Sequence, residues 1–160
     1  MKKKAWKKVQ LLALDFDGVM TDGKVTVRED GLESVTCSRR DSLGISMLKK
    51  IGVKVMVISK EKNPVVAARC RKLDIECFSG VDDKPTLFKE LMAREAIDPK
   101  RVCYVGDDVI DAECMKIAGI GVAVADAVRQ AKEAADYVTS AKGGDHAVRE
   151  VCDLILDAKR

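Results

Sequence analysis

The sequence predicts a three-layer α/β fold in which a parallel sheet lies between two layers of helices. After Val9, short β-branched runs alternate with longer segments of helical periodicity, which is typical of strand-helix-strand units around a parallel sheet. The chain has 160 residues, of which 47% are hydrophobic, and this is enough for one core without disulfides or structural metals. We therefore expect residues 1–160 to form one domain.

Six short apolar runs are the predicted strands. They cover residues 9–14, 53–58, 76–78, 102–105, 120–124 and 136–138. Helices are expected in the gaps: Asn63-Pro64 supplies an N-cap and a first-turn proline for one of them, and Asp83 precedes another that starts with Lys84-Pro85. The remaining helices are predicted from about residue 108, over 128–135 and over 147–156.

Residues 24–38 interrupt this alternation. They hold two strand-like stretches on either side of Glu29-Asp30-Gly31, and Asp-Gly between alternating residues is a strong hairpin signal. A β-hairpin is therefore expected to project directly after the first strand. Since no connection is long enough for a separate cap domain, this hairpin is the only lid that we expect.

Composition excludes several classes of partner. The 29 basic residues nearly balance the 26 acidic ones and aromatic residues make up only 4%, so we expect no nucleic-acid partner. No apolar stretch approaches the roughly 20 residues of a membrane span, so we expect no membrane partner. The basic start and the short apolar run behind it are unlike a signal sequence, so we expect the chain in the cytoplasm. The six cysteines are scattered and are expected to be reduced. Residues 1–8 are predicted to be a solvated basic tail.

Polar residues follow the ends of three predicted strands. In an open parallel sheet ligands bind beyond the carboxyl ends of the strands, so these residues should meet at one site. The candidates are Asp15 and Asp17 after the first strand, Ser59 after the second, Asp107, Asp108 and Asp111 after the fourth, and Lys84 at the start of a helix. Buried carboxylates so close together need compensation, and Mg²⁺ bound by carboxylates is the compensation that we expect.

This set suits phosphoryl transfer. Asp15 could attack phosphorus, and Asp17 could protonate the leaving alcohol and later deprotonate water. Ser59 and Lys84 could bind the phosphoryl oxygens. Each residue alone is more often a cap, a turn or a surface side chain. Because all of them occur in order at strand ends and a helix start, we predict a phosphotransfer site.

Four segments resemble the motifs of the haloacid dehalogenase-like (HAD) phosphohydrolases. The segments are Asp15-Phe16-Asp17-Gly18-Val19, Ser59, Lys84 and Gly106-Asp107-Asp108 with Asp111, and the similarity runs from about residue 11 to 155. It looks closest to the capless branch that includes the phosphatases of 3-deoxy-D-manno-octulosonate 8-phosphate and of N-acylneuraminate 9-phosphate. The resemblance implies a Rossmann-like HAD fold and a phosphorylated sugar acid as substrate.

The resemblance also implies particular roles. Asp15, the backbone carbonyl of Asp17 and Asp107 would bind Mg²⁺, with Asp108 and Asp111 supporting that metal shell. Members of this branch are typically homotetramers in which the hairpin of one subunit closes the neighbour's site.

Substrate contacts are also suggested by resemblance. Ser59 is followed here by Lys60-Glu61, where octulosonate phosphatases usually have Gly and Arg. Glu61 together with Lys72 is similar to the nine-carbon phosphatases, in which an acid and a base contact the sugar. Arg40 belongs to a locally similar segment, and Arg149 could hold a substrate carboxylate.

Two other classes remain as alternatives. A signalling receiver domain also uses an acidic pocket, Mg²⁺ and a phosphorylated Asp, but it places adjacent acids after its first strand, whereas this chain has Asp-x-Asp first. A non-catalytic assembly module, like those appended to some cytidylyltransferases, is the second alternative. The presence of Asp15, Asp17, Lys84 and Asp107 argues for activity.

Overall fold

A six-stranded parallel sheet forms the centre of the computed structural model, which describes residues 3–160. The strands are β1 (Leu11–Leu14), β4 (Lys54–Ile58), β5 (Glu76–Phe78), β6 (Val102–Gly106), β7 (Ile120–Ala123) and β8 (Tyr137–Val138), and a separate antiparallel pair is formed by β2 (Thr26–Val27) and β3 (Glu33–Ser34). The order in the large sheet is β5-β4-β1-β6-β7-β8. The central strand β1 is fully buried, and its last residue, Leu14, pairs with Val57 and Val105.

Helices cover both faces of the sheet. They are α1 (Lys3–Lys7), α2 (Arg39–Lys50), α3 (Pro64–Leu73), α4 (Lys84–Arg94), α5 (Ala112–Ile117), α6 (Arg129–Ala134) and α7 (Ala147–Lys159), with 3₁₀ turns at Pro99–Arg101 and Val109–Asp111. Helix α2 packs on α7, and α1 also packs on α7, whereas α5 packs between α4 and α6. Right-handed crossovers account for these two groups, because the strand order moves outward in opposite directions from β1. The predicted three-layer α/β class is confirmed.

The predicted strands agree with the observed ones to within two residues at each end. Within the predicted hairpin segment 24–38, only two residues on each side pair, Thr26 with Ser34 and Val27 with Glu33. Gly31 adopts a positive φ of 80° in the turn, which agrees with the Asp-Gly signal. Among residues 3–160, no helix has the length and apolarity needed to cross a bilayer.

The predicted basic tail is corrected by the structure. Residues 3–7 form helix α1, and Trp6 is only 4% exposed. Its ring meets the ring of Tyr137 edge to face, with 5.9 Å between centroids. The indole therefore docks the lysine-rich segment onto the domain, because burying a large aromatic side chain outweighs the low helical stability of five residues. Residues 1 and 2 lie outside the described part of the chain.

Candidate active site

The carboxyl end of β1 places Asp15 and Asp17 at the centre of the sheet edge. Asp15 N donates to Val105 O at 2.9 Å, which extends the pairing of β1 with β6 by one residue. The chain then turns at Gly18, whose φ is 81°. Thr21 Oγ1 accepts hydrogen bonds from Gly18 N at 3.2 Å and Gly23 N at 3.1 Å, which closes the turn. Asp15 is thus held 5% exposed at the base of a defined loop.

Lys84 links two of the predicted carboxylates. Its Nζ lies 2.7 Å from Asp15 Oδ1 and 2.9 Å from Asp111 Oδ1, and the side chain is only 2% exposed. Burial lowers the pKa of Lys84, but the two carboxylates raise it by more, so the net shift is upward. The lysine is therefore charged and pairs with the proposed nucleophile inside the protein.

Asp111 is surrounded by donors. Besides Lys84, Tyr104 donates its hydroxyl to Asp111 Oδ1 at 2.8 Å, and the amides of Asp107 and Asp108 donate to Asp111 Oδ2 at 3.2 and 3.3 Å. Asp111 is completely buried. Both of its oxygens are thus occupied, which suits a residue that positions Lys84 and the β6 loop better than one that coordinates an ion.

The donor set fits a hard divalent cation. Asp15, Asp107 and Asp111 each offer a carboxylate oxygen, and these oxygens lie within 4.8 Å of one another. Asp111 is already bonded, and in residues 3–160 no hydrogen bond reaches the carbonyl oxygen of Asp17. Asp15, Asp107 and that carbonyl are accordingly the oxygens free to bind Mg²⁺.

The raised pKa values of the acids at this edge of the sheet also indicate a site for a cation. Burial raises the pKa of Asp107 to about 6, with further increases from Asp111 and Asp108. Burial and Asp111 likewise raise the pKa of Asp15 in spite of Lys84. One buried lysine does not neutralise this group of acids, and a divalent ion would bring the carboxylates back to the ionised form.

Gly18 permits the close approach of Asp107. A Cβ atom at Gly18 would overlap Asp107 Oδ2, and the positive φ is itself unfavourable for other residues. On the far side of the same loop, a Cβ at Gly143 would overlap Gly18 O. The β1 loop is therefore packed between the β6 loop and the Gly143-Gly144 loop with no space for a side chain at these contacts.

Asp17 has the environment of a general acid. Its Oδ2 atom is buried and makes no hydrogen bond within residues 3–160. Burial, followed by the neighbouring charge of Glu61, raises its pKa, and Glu33 contributes in the same direction. This upward shift of the pKa is in the direction that proton donation to a leaving group requires.

A cleft of about 240 Å³ opens over these residues. Its lining includes Asp15, Asp17, Gly23, Ser59, Lys60, Glu61, Asp107, Asp108 and Ile110. Ser59 Oγ accepts from Glu61 N at 3.2 Å, so its hydroxyl proton is free to be donated into the cleft. Lys60, which replaces the usual glycine, does not have a positive φ, so the turn is built without strain at that position.

Some predicted substrate residues are not brought to this cleft. Lys72 is exposed in the last turn of α3. The end of this helix lies beside the start of β4, where Lys49 Nζ donates a hydrogen bond to Leu73 O at 3.1 Å. A helix that follows a strand runs back across the sheet, so Lys72 lies at the opposite edge from Asp15. The position of Lys72 in this chain therefore does not support the predicted contact with the sugar.

Arg149 and Arg40 lie at helix starts near the cleft edge of the sheet. Arg149 Nε binds Asp153 at 2.8 and 2.9 Å, and its backbone N donates to Asp41 at 2.8 Å. The guanidinium is thus engaged within α7, which does not support the predicted carboxylate contact. Arg40 is exposed in the first turn of α2 and, within residues 3–160, its side chain makes no ion pair.

Three residues around the site were not among the site residues predicted from the sequence. Tyr104 was treated only as part of a buried strand, and nothing in the local pattern indicates that its hydroxyl meets Asp111. Glu33 on the hairpin accepts from Asn63 Nδ2 at 2.5 Å, which ties β3 to the start of α3. The acid in a short strand and the N-cap Asn were visible, but their pairing across thirty residues was not.

Comparisons with known proteins agree with this geometry. A family model for haloacid dehalogenase-like hydrolases matches residues 59–151. The 3-deoxy-D-manno-octulosonate 8-phosphate phosphatase KdsC of Salmonella typhi is 41% identical over 152 residues, which cover 94% of this chain and 81% of that protein.

Solved structures give the same result. The phosphatase of that name from Moraxella catarrhalis, in complex with magnesium ion, phosphate ion and a KDO molecule, superposes with a TM-score of 0.95 at 34% identity and covers 98% of this chain and 91% of that one. The corresponding protein from Yersinia pestis has a TM-score of 0.95 at 39% identity and covers 98% and 85%. With its strand-end acids and buried lysine in the motif order described above, the chain belongs to the haloacid dehalogenase-like hydrolases.

Proposed function

We propose that this chain is an Mg²⁺-dependent phosphatase of a phosphorylated 2-keto-3-deoxy sugar acid, with 3-deoxy-D-manno-octulosonate 8-phosphate as its first candidate substrate. The observation that carries the proposal is the buried Asp15-Lys84-Asp111 arrangement next to Asp107 at the end of β1. The relatives named above, which are phosphatases of this sugar acid, support the choice of substrate.

The geometry suits a two-step transfer. An oxygen of the Asp15 carboxylate bonds to phosphorus as the bond from phosphorus to the sugar oxygen breaks, and the Asp17 carboxyl gives its proton to that oxygen. Asp17 then takes a proton from water, which attacks phosphorus and releases Asp15 and inorganic phosphate. Lys84 fixes Asp15 throughout and retains one further N–H for a phosphoryl oxygen. Ser59 supplies its hydroxyl proton to another.

Mg²⁺ would be held by Asp15, the Asp17 carbonyl and Asp107, and when bound it supplies positive charge that offsets the acids and the phosphoryl oxygens. Asp111 contributes indirectly, because its two oxygens fix Lys84 and the amides of the β6 loop. Asp108 caps the 3₁₀ turn, where its Oδ1 accepts from Val109 N at 2.6 Å.

The eight-carbon acid is preferred over the nine-carbon acid for a structural reason. The sequence argument for a nine-carbon substrate depended on Glu61 and Lys72 acting together. Glu61 lines the cleft with Asp17, but Lys72 lies at the other edge of the sheet. Without that pair, the similarity to the octulosonate phosphatases determines the choice.

Phosphate release from the eight-carbon 8-phosphate and from N-acetylneuraminate 9-phosphate, each with and without Mg²⁺, tests the proposal. We expect Mg²⁺-dependent release that is faster with the eight-carbon substrate and that falls to background in Asp15→Asn. Faster turnover of the nine-carbon substrate would overturn the specificity. Equal release by wild type and Asp15→Asn would overturn the mechanism.

We also infer a homotetramer in the cytoplasm. The hairpin presents apolar side chains to solvent, with Val27 and Leu32 each 61% exposed, as a hairpin that packs on another subunit would. All six cysteines are free thiols, which agrees with a reducing compartment. Light scattering should give a tetramer for wild type and a smaller species for a Val27→Asp, Leu32→Asp variant. Cell fractionation tests the location.

A further inference from the structure

A cleft lined by cations lies at the edge of the sheet where the strands begin. Its lining is Lys7, Lys8, Gln10, Asp98, Lys100, Arg101 and Lys159, and its volume is about 390 Å³. We refer to these residues as the basic cleft. Gln10 directly precedes β1 and Asp15 directly follows it, so roughly 16 Å of strand separates the basic cleft from the catalytic carboxylates.

The basic cleft is held in place by contacts between four segments. Gln10 N donates to Arg101 O at 2.8 Å, which joins the start of β1 to the 3₁₀ turn before β6. Lys159 Nζ donates to Lys7 O at 3.0 Å, which joins the end of α7 to α1. The buried indole of Trp6 fixes α1 itself. The lysines at residues 7 and 8 are therefore part of a folded surface, and binding there does not require a disordered tail to become ordered.

The positive charges of the basic cleft are not balanced by the protein. Lys7, Lys8, Lys100 and Arg101 are exposed, and none of them forms an ion pair with the side chains of the described residues 4–160. The one carboxylate in the lining, Asp98, accepts a hydrogen bond from Lys100 N at 2.9 Å as a helix cap. Like charges gathered in a concave surface raise the local potential, and an anion in the cleft would offset it.

The chemistry of the lining suits an anion that carries phosphate groups. Amines and a guanidinium dominate, and they are the groups that bind phosphate oxygens. No aromatic side chain is present among the lining residues, so there is no platform on which a nucleic-acid base could stack. We propose that the basic cleft binds the phosphate groups of a small, multiply charged anion, at a site separate from the catalytic cleft.

Titration with sodium pyrophosphate, followed by backbone amide NMR in metal-free buffer, tests this proposal. Without metal, the catalytic acids repel anions, so binding there does not interfere. We expect shifts at the amides of Lys8, Lys100 and Arg101, and binding that weakens as sodium chloride is raised. The Lys100→Glu, Arg101→Glu variant should bind about ten-fold or more weakly. A matched control, Lys89→Glu with Arg129→Glu, makes the same charge change at exposed positions elsewhere and should bind like wild type.

A second experiment distinguishes a lipid headgroup from a free phosphorylated compound as the ligand. Phosphatidylglycerol vesicles that sediment wild type, but not the Lys100→Glu, Arg101→Glu variant, would support the site with a lipid headgroup as the source. Pyrophosphate binding without vesicle binding would support a free phosphorylated compound. The proposal is overturned if neither probe binds, if the control weakens binding as much as the test variant, or if the amide shifts lie at the catalytic cleft. None of these readouts depends on phosphatase activity.

Discussion

Gly18 affects both the backbone turn after Asp17 and the position of Asp107, a proposed metal ligand. Its φ of 81° turns the chain after Asp17, and its Cα hydrogen lies against the carboxylate of Asp107. A side chain at this position has to displace one of the two proposed ligand loops. The glycine of the first motif is thus explained by a contact, in addition to the turn that it makes.

Gly18→Ala should therefore remove activity and weaken Mg²⁺ binding. The overlap with Asp107 adds to a conformational cost of about 1 kcal/mol for a positive φ. Gly52→Ala is the matched control, because Gly52 has a φ of 78° and a Cβ added there would meet no atom within 4 Å. Calorimetric Mg²⁺ titration of both variants gives the comparison, and equal weakening in both would refute the role of the Asp107 contact.

Lys84 is predicted to contribute to folding in addition to its proposed catalytic role. Lys84→Met would leave the buried carboxylates of Asp15 and Asp111 without their cation, a change that costs about 3–5 kcal/mol in other proteins. Urea unfolding at neutral pH should show this loss, and phosphate release should disappear. Lys89→Met, at an exposed position on the same helix, should change the free energy of unfolding by no more than about 0.5 kcal/mol. A Lys84→Met protein as stable as wild type would contradict the prediction.

Among the helices and strands, α1 is the element that the composition of its segment did not predict. Five residues are too few to show helical periodicity, and four lysines among the first seven residues suggest solvent exposure. Trp6 was the one available signal, because an indole is seldom left in a basic tail. Its edge-to-face contact with Tyr137 comes from residues far apart in the sequence and could not be read from either segment.

Trp6→Ala should destabilise the protein by about 3 kcal/mol, as expected when a buried aromatic side chain is truncated. The urea transition should be measured by circular dichroism, because the variant has no tryptophan whose fluorescence could report unfolding. Lys4→Ala, at an exposed position on the same helix, serves as control and should leave the transition unchanged. If Trp6→Ala unfolds at the urea concentration of wild type, α1 does not contribute to the domain.

The strands were predictable and the partners of side chains were not. Short apolar runs ending in Asp, Ser or Gly-Asp located β1, β4 and β6, and the rule for parallel sheets then brought their ends together. Lys72 shows where this reasoning fails, because nine residues of helix, from Pro64 to Lys72, carry it back to the other edge. Tyr104 is a different case. Its place in a continuous apolar run predicts its burial, but its hydrogen bond to Asp111 depends on how the β6 loop folds over it.

Across the whole molecule, charge is divided between the two edges of the sheet. Asp15, Asp17, Asp107 and Asp111 gather where the strands end, and the basic cleft lies where they begin. The small net charge of +3 therefore conceals two local clusters of opposite sign. Composition indicated a balanced surface, because a total contains no information on where charges meet in the fold. Stability should accordingly depend on ions that bind the acidic edge.

Asp107→Asn tests how stability depends on Mg²⁺, both without the ion and with it. The pKa of Asp107 is raised to about 6 by burial and by neighbouring acids, so its ionised form disfavours the metal-free folded state above that pH. Without Mg²⁺, the variant should be more stable than wild type at pH 8, and the difference should shrink as pH falls through 6 towards 4. With Mg²⁺ at a hundred times its Kd, wild type should gain about 2.7 kcal/mol and the variant much less.

Melting temperatures at matched ionic strength give both comparisons. Asp98→Asn, the same substitution at the other edge of the sheet, should follow wild type with and without Mg²⁺, because Asn also caps a helix. Equal gains from Mg²⁺ in wild type and Asp107→Asn would show that the ion does not bind through Asp107. If Asp107→Asn without Mg²⁺ were less stable than wild type at pH 8, the ionised carboxylate of Asp107 would stabilise the folded state, contrary to the prediction. The two comparisons therefore separate the charge of Asp107 from its role as a ligand.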